Sequence, residues 1–131
     1  MNILLDTHTL IWFMEGNVLL PAKIRERIMG KGNNSMVSIA SFYEVAIKMN
    51  IGKLNLGKSL SLFYQETAEN QIQILPIAQS HLSAYVSLPL FANHKDPFDR
   101  LIIATAFAEN ASVLSADANF SLYKELVGVE W

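Results

Sequence analysis

Short apolar segments, each followed by a segment with helical character, are the feature that most constrains the fold of this chain. They are Asn2 to Leu5, Met36 to Ile39, Gln73 to Ile77 and Ser112 to Ser115. Their length and apolar character predict buried strands. Strands that alternate with helices form right-handed crossovers, which make the strands parallel and place helices on both faces. The sequence therefore predicts a three-layer α/β/α sandwich with a central, mostly parallel sheet.

Helices are predicted between and after these strands from apolar spacing, capping residues and helix breakers. They cover Thr7 to Met14, Pro21 to Met29, the Ser41 cap to about Met49, Ser59 to about Glu69, Ser80 to Ser87, Pro97 to Asn110 and Ala118 to Leu126. Ser41 is the predicted N-cap of the third helix, with Glu44 as its capping-box partner. Asp96 is the predicted N-cap of the sixth helix and Asn110 its C-cap. An edge strand is predicted from Val127 to Trp131.

Length and composition set the class of protein. The 131 residues, of which 51% are hydrophobic and 17% charged, indicate one globular domain spanning residues 1–131. The absence of cysteine excludes disulfides, zinc–thiolate sites and thiol nucleophiles. The N-terminal segment lacks a basic region, and Pro76 and Pro89 interrupt the long uncharged stretch from Asn70 to His94. A soluble, cytoplasmic protein is expected.

Four acidic residues are predicted to meet at one edge of the sheet. Asp6 follows the first strand, Glu44 lies in the first turn after the second, Asp99 lies in the first turn of the helix leading to the fourth, and Asp117 follows the fourth. In an open parallel sheet, ligands bind beyond the carboxyl ends of the strands. Carboxylates that converge need a cation between them, and oxygen ligands favour Mg²⁺ or Mn²⁺. Such ions activate water and neutralise phosphoryl oxygens, which suits phosphate-ester hydrolysis.

The net charge and the individual acids also allow other interpretations. The formal charge of −2 argues against a nucleic-acid ligand, unless the clustered acids bind a cation and leave the remaining surface basic. Asp6 alone could be an N-cap, Glu44 a capping-box residue and Asp117 a turn residue. Their shared placement at one edge is what favours the functional interpretation.

Four motifs in this chain resemble those of the PIN-domain nucleases, and most closely the VapC-type toxins of toxin–antitoxin pairs. The motifs are Asp6-Thr7-His8, the segment Ser41 to Lys48, the segment His94 to Arg100, and Ser115-Ala116-Asp117. They occur in order and cover essentially the whole chain. The family often has threonine where this chain has Ser115, so the hydroxyl is kept.

The resemblance implies both an activity and partners. The activity would be that of a Mg²⁺- or Mn²⁺-dependent endoribonuclease. Asp6, Glu44, Asp99 and Asp117 would be its catalytic and metal-binding residues. The substrate would be RNA, the chain would form a homodimer, and a cognate antitoxin would lay its C-terminal segment across the active-site groove.

Several neighbouring residues have two interpretations. Thr7 could hold water or phosphate, or cap a helix; Ser115 could position water or Asp117. Arg100 could bind RNA phosphate or neutralise Asp96. A structural role is favoured for His8 over a general base, since a metal-activated water needs none. Lys48 is expected to pair with Glu44, four residues earlier on the same helix.

Two other functions fit parts of the pattern. The first is a catalytically degenerate PIN-fold module that only binds a partner or RNA, against which the presence of all four acids argues. The second is another metal-dependent α/β phosphohydrolase. A haloacid-dehalogenase-like phosphatase needs an aspartate two residues after Asp6, where this chain has His8. A receiver domain needs paired early acids and a late lysine, which the sequence does not show.

Overall fold

The chain folds around five strands that form one parallel sheet. The computed structural model describes residues 1–131. The strands are β1 Asn2–Leu5, β2 Asn34–Ser38, β3 Gln73–Leu75, β4 Ser112–Leu114 and β5 Val129–Glu130. Their order is β3-β2-β1-β4-β5, and every neighbouring pair is parallel. Leu4 at the centre is in register with Met36 on one side and Val113 on the other. The predicted parallel sheet is confirmed.

Helices connect the strands. They are α1 Thr7–Glu15, α2 Ala22–Met29, α3 Ile39–Asn50, α4 Leu60–Glu69, α5 Gln79–Val86 and α6 Pro97–Ala108, with a 3₁₀ helix at Ala118–Tyr123. None of them combines the length and the apolar character that crossing a bilayer would require.

Two hydrophobic cores, one on each face of the sheet, make the three layers. Because side chains alternate along a strand, Ile3 and Leu5 of β1 point to one face and Leu4 to the other. The first core contains buried residues of α1 to α4, and the second contains residues of α6 and the 3₁₀ helix. The strands are therefore apolar on both faces, as parallel strands covered on both sides must be. The predicted α/β/α sandwich is confirmed.

The junction between β2 and α3 differs from the prediction. The strand ends at Ser38 and the helix begins at Ile39, without a connecting loop. Ser38 is the N-cap, because its side chain accepts a hydrogen bond from the amide of Ala40. The prediction of Ser41 as cap was therefore wrong, and Glu44 lies in the second turn of α3 and not in the first. This shift leaves both Ser41 and Glu44 free to face α1.

Other boundaries moved by a few residues for local reasons. Strand β3 stops at Leu75, because Pro76 has no amide hydrogen for the ladder. Helix α6 ends at Ala108 with Glu109 as its C-cap, since Asn110 adopts a left-handed φ of 53°. The last predicted helix is a 3₁₀ helix that ends at Tyr123. The predicted Asp96 cap is confirmed, since its side chain accepts from the amides of Phe98 and Asp99.

The order of the strands creates a crevice at the centre of the sheet. The chain builds β2 and β3 on one side of β1, then crosses over to build β4 and β5 on the other. The carboxyl ends of β1 and β4 are thus neighbours from which the chain departs in different directions. Such a switch point is where open parallel sheets bind their ligands.

Candidate functional site

Asp6 lies at this switch point, at the end of β1. Its amide donates to the carbonyl of Leu114 at the end of β4, and its Oδ1 accepts from the amide of Thr9, which makes it the N-cap of α1. Its Oδ2 accepts a hydrogen bond from the hydroxyl of Ser115. Only 6% of Asp6 is exposed, and this burial raises the pKa of its carboxyl group above the ordinary value.

Glu44 reaches the same edge from α3 and is held by α1. Thr7 Oγ1 donates to Glu44 Oε1 over 2.7 Å and lies 3.0 Å from Ser41 Oγ. Lys48 Nζ is 3.4 Å from Glu44 Oε2, so the predicted ion pair is confirmed. The cap of α1 is Asp6 and not Thr7, whose hydroxyl instead fixes the orientation of Glu44.

Asp99 enters the site from the first turn of α6. Its Oδ2 is 3.3 Å from His94 Nε2. Burial, with the negative charges of Asp96 and Glu44, raises the pKa of Asp99 to about 6, although the hydrogen bond to His94 opposes the shift. The charge of Glu44 on α3 contributes to this rise in the pKa of Asp99.

Asp117 completes the group from the loop after β4. Its amide donates to Ser115 Oγ over 3.1 Å, and its Oδ1 accepts from the amide of Asn119 at the start of the 3₁₀ helix. Ser115 therefore contacts both Asp6 and Asp117, as expected for a positioning residue. A nitrogen or oxygen ligand atom of His94, Asp99 and Asp117 each lies within 4.8 Å of the other two.

The structure thus brings the four predicted acids to one edge of the sheet, although only Asp99 and Asp117, with His94, have ligand atoms within 4.8 Å of one another. Ser115 joins Asp6 to Asp117, and Asp117 lies near Asp99. Asp99 is influenced by Glu44. The alternative interpretation of Asp6 as an N-cap holds as well, and Asp117, expected in a turn, caps the 3₁₀ helix through one carboxylate oxygen.

Arg100 does not make either predicted contact. It is 5% exposed and its Nη1 donates to the carbonyl of Pro89 and to the hydroxyl of Tyr123, each over 3.0 Å. Its guanidinium also lies 5.3 Å from the centre of the Tyr85 ring. Asp96, one of the two partners considered for Arg100, is not among its contacts, because the guanidinium turns towards Tyr85, Pro89 and Tyr123.

The two histidines nearest the predicted motifs differ in burial: His94 is buried beside Asp99, whereas His8 is exposed. His94 is 3% exposed and contacts Asp99. His8 is exposed, with its ring centre 6.3 Å from that of Trp12. The only sequence signal for His94 is its position five residues before Asp99, and its contacts depend on Tyr123, far along the chain.

Comparison with known proteins places this geometry in a family. The sequence profile of the PIN domain matches residues 3–126. The chain belongs to the PIN-domain family. No curated protein gives a significant match.

Solved structures with this fold cover nearly the whole chain. VapBC-1 from nontypeable Haemophilus influenzae has a TM-score of 0.69 at 18% identity, with 99% of this chain and 97% of that chain covered. VapBC2 from Rickettsia felis, solved bound to a promoter DNA fragment, has a TM-score of 0.66 at 17% identity, with 99% and 98% covered. A toxin–antitoxin complex from Klebsiella pneumoniae has a TM-score of 0.62 at 19% identity, with 98% and 96% covered. These likenesses support the PIN fold.

The residues of this PIN domain fit a divalent cation. The four carboxylates provide oxygen ligands, and Lys48 is the only lysine or arginine within ion-pair distance of any of them. Burial, with the charges of Asp96 and Glu44, raises the pKa of Asp99, and no lysine or arginine pairs with Asp6, Asp99 or Asp117. A hard cation with oxygen ligands, such as Mg²⁺ or Mn²⁺, would supply compensating positive charge.

Proposed function

We propose that this PIN domain is a Mg²⁺- or Mn²⁺-dependent endoribonuclease that serves as the toxin of a toxin–antitoxin pair. The observation that carries the proposal is the convergence of Asp6, Glu44, Asp99 and Asp117 at the switch point of the sheet. Acids from four separate parts of the chain meet there with one paired lysine. Such an arrangement costs free energy in the folded protein unless a cation compensates it.

The four carboxylates would hold the cation, and neighbouring hydroxyl groups would fix the carboxylates. Ser115 donates to Asp6 and Thr7 donates to Glu44, so each acid presents its remaining lone pairs in a defined direction. A bound divalent cation supplies water activation and neutralisation of phosphoryl oxygens for phosphodiester hydrolysis. Thr7 and Ser115 therefore act on the acids and not on the RNA.

Cleavage of RNA tests the enzymatic part of this proposal. The purified chain is expected to cut structured RNA with Mg²⁺ or Mn²⁺ and to lose this activity in EDTA. Asp6→Asn should remove cleavage, while Glu109→Gln, a change on the far end of α6, should preserve it. Equal cleavage by wild type and Asp6→Asn would indicate a contaminating nuclease and leave only a binding function for the domain.

Growth of cells tests the toxin assignment. Support for it comes from the fold shared with the Klebsiella pneumoniae toxin–antitoxin complex. Expression of wild type is expected to arrest growth, Asp6→Asn should not, and co-expression of an adjacent gene encoding the cognate antitoxin should relieve the arrest. A homodimer is proposed as the form that the antitoxin binds, to be measured by light scattering. Normal growth with active nuclease would contradict the toxin role alone.

A further inference from the structure

A buried chain of hydrogen bonds runs behind Asp99. Arg100 Nη1 donates to the hydroxyl of Tyr123 over 3.0 Å, and this hydroxyl lies 2.8 Å from His94 Nδ1. His94 Nε2 in turn lies 3.3 Å from Asp99 Oδ2. Arg100, Tyr123 and His94 are all at most 5% exposed, so the Arg100–Tyr123 and Tyr123–His94 contacts are buried, whereas the Asp99 side chain is 26% exposed. These hydrogen bonds connect the second core to the acidic edge, the edge of the sheet at which Asp6, Glu44, Asp99 and Asp117 lie.

The direction of each hydrogen bond follows from the chemistry of its members. A guanidinium can only donate, so the oxygen of Tyr123 accepts from Arg100 and its own single proton remains to be placed. The neighbour able to accept that proton is His94 Nδ1, at 2.8 Å. In this neutral form, the ring proton of His94 is on Nε2, which faces an oxygen of Asp99.

The alternative form of His94 is unfavourable for two reasons. A proton on Nδ1 alone would make Tyr123 accept twice and leave its buried hydroxyl proton without an acceptor. It would also bring the bare lone pair of Nε2 to 3.3 Å from a carboxylate oxygen that carries only lone pairs. A doubly protonated ring would still present an Nε2 proton to Asp99, so the conclusion does not depend on the charge of His94.

We propose that His94 is a positioning residue that donates from Nε2 to Asp99 and is not itself a metal ligand. The proposal deepens the metal-dependent function proposed above and rests on it. The distances alone allow His94 to join Asp99 and Asp117 around an ion, because their ligand atoms lie within 4.8 Å of one another. A ligand nitrogen needs a free lone pair, and the Arg100–Tyr123 pair places a proton there instead.

The two oxygens of the Asp99 carboxylate therefore have different roles. The hydrogen bond to His94 occupies one lone-pair direction of Oδ2 and leaves Oδ1 free. A buried donor at Oδ2 limits rotation of the Asp99 carboxylate and holds its orientation. Groups that orient metal-binding carboxylates in this way typically contribute about 10- to 100-fold to metal affinity.

Nuclear magnetic resonance of the metal-free, full-length chain tests the proton position directly. Nitrogen-15 spectra distinguish protonated from bare ring nitrogens, and His94→Gln identifies the signals of His94 among the three histidines. Nε2 is expected to be protonated. Tyr123→Phe should release the constraint and allow proton exchange between Nδ1 and Nε2. A bare Nε2 in wild type would overturn the proposal.

Binding of Mn²⁺, followed by calorimetry, tests the positioning role. His94→Gln keeps a donor near the place of Nε2 and is expected to bind Mn²⁺ within about threefold of wild type, while His94→Leu should bind about 10- to 100-fold more weakly. His81→Leu is the matched control, because His81 is also buried and paired with a carboxylate, Glu109, but at the other end of α6. Wild-type affinity in a folded His94→Leu variant would overturn the proposal.

Electron spin-echo spectroscopy of bound Mn²⁺ separates the two roles of His94. No directly bonded imidazole nitrogen is expected in wild type, whereas a signal lost in His94→Gln would show that His94 is a ligand and overturn the proposal. Failure of the underlying function looks different. If wild type bound no Mn²⁺ and cut no RNA, the proposed function would fail, while the nitrogen-15 spectra would still decide where the proton of His94 resides.

Discussion

The two ends of α6 carry the same chemical pair in different surroundings. At its start, His94 Nε2 contacts Asp99; at its end, His81 Nε2 contacts Glu109 over 2.7 Å. Both histidines are buried, and in both the other ring nitrogen has a partner. The partner of His81 is the backbone amide of Ala78, whereas that of His94 is the hydroxyl of Tyr123.

The difference lies in the neighbouring charges. Glu109 caps the end of α6, and no other acid joins it and His81 in a cluster that could hold a metal. Asp99 has Asp96 and Glu44 close enough to raise its pKa to about 6. The His81–Glu109 pair therefore anchors the end of α6, while the His94–Asp99 pair orients a carboxylate towards other acids. The two histidine–carboxylate pairs thus differ in the acids that surround them and not in their own chemistry.

The largest expected effect is on RNA cleavage, and it distinguishes the carboxylate of Asp99 from that of Glu109. Asp99→Asn should lower RNA cleavage by more than about 100-fold, because it removes a metal-binding oxygen, and should leave the circular dichroism spectrum unchanged. Glu109→Gln should retain cleavage within about twofold of wild type. Rates are measured at saturating Mg²⁺ with one RNA substrate. Comparable losses in both variants would show that the two ends of α6 do not differ in function.

The fold and the four acids of the acidic edge could be predicted from the sequence because they depend on local patterns. Buried strands are short apolar runs, and an acid that follows such a run falls at the carboxyl edge of a parallel sheet. This logic located Asp6, Asp117 and Asp99 correctly along the elements. It placed Glu44 on the correct helix but in the wrong turn, since Ser38 and Ser41 are both acceptable caps in sequence.

The partners of His94 and Arg100 could not be predicted, because they come from contacts between distant residues. Tyr123 follows His94 by 29 residues and Arg100 by 23, and the three meet only when the 3₁₀ helix packs beside α6. An arginine next to an acid that is proposed to be catalytic suggests a role at the surface. Its actual direction depends on the Pro89 carbonyl and the Tyr85 ring, which no periodicity reveals.

The next effect concerns stability at the far end of α6. His81→Leu should lower the free energy of unfolding by about 1–3 kcal/mol, because the amide of Ala78 and the carboxylate of Glu109 each lose a partner. Cleavage at a temperature where the variant is folded should match wild type. Urea denaturation and a parallel cleavage assay measure the two quantities. A loss of cleavage in the folded variant would mean that the C-terminal end of α6 also supports the acidic edge.

A smaller effect is the pH dependence that Asp99 gives the metal-free protein. Its pKa is about 6 when folded against 3.8 in its ordinary state, so the folded protein binds more protons between these values. The free energy of unfolding should therefore fall as pH rises from about 4 to about 6. Above pH 6, Asp99→Asn should be more stable than wild type by about 1 kcal/mol, a value that allows for solvent screening.

Urea denaturation in EDTA at several pH values measures this difference, and Mg²⁺ should reverse it in favour of wild type at neutral pH. Glu109→Gln serves as the control from the other end of α6. A stability difference between Asp99→Asn and wild type that stayed constant from pH 4 to pH 7 would contradict the role assigned to the Asp99 carboxylate.

The smallest effect separates the two aspartates at the start of α6. Asp96 caps the helix through the amides of Phe98 and Asp99, and asparagine caps about as well, so Asp96→Asn should change the free energy of unfolding by less than about 0.5 kcal/mol. Asp96→Ala, which removes the cap, should cost about 1 kcal/mol. Because the charge of Asp96 helps to raise the pKa of Asp99, Asp96→Asn should also lower that pKa. Cleavage by Asp96→Asn should stay near wild type, and a loss as large as that of Asp99→Asn would show that both carboxylates serve the reaction.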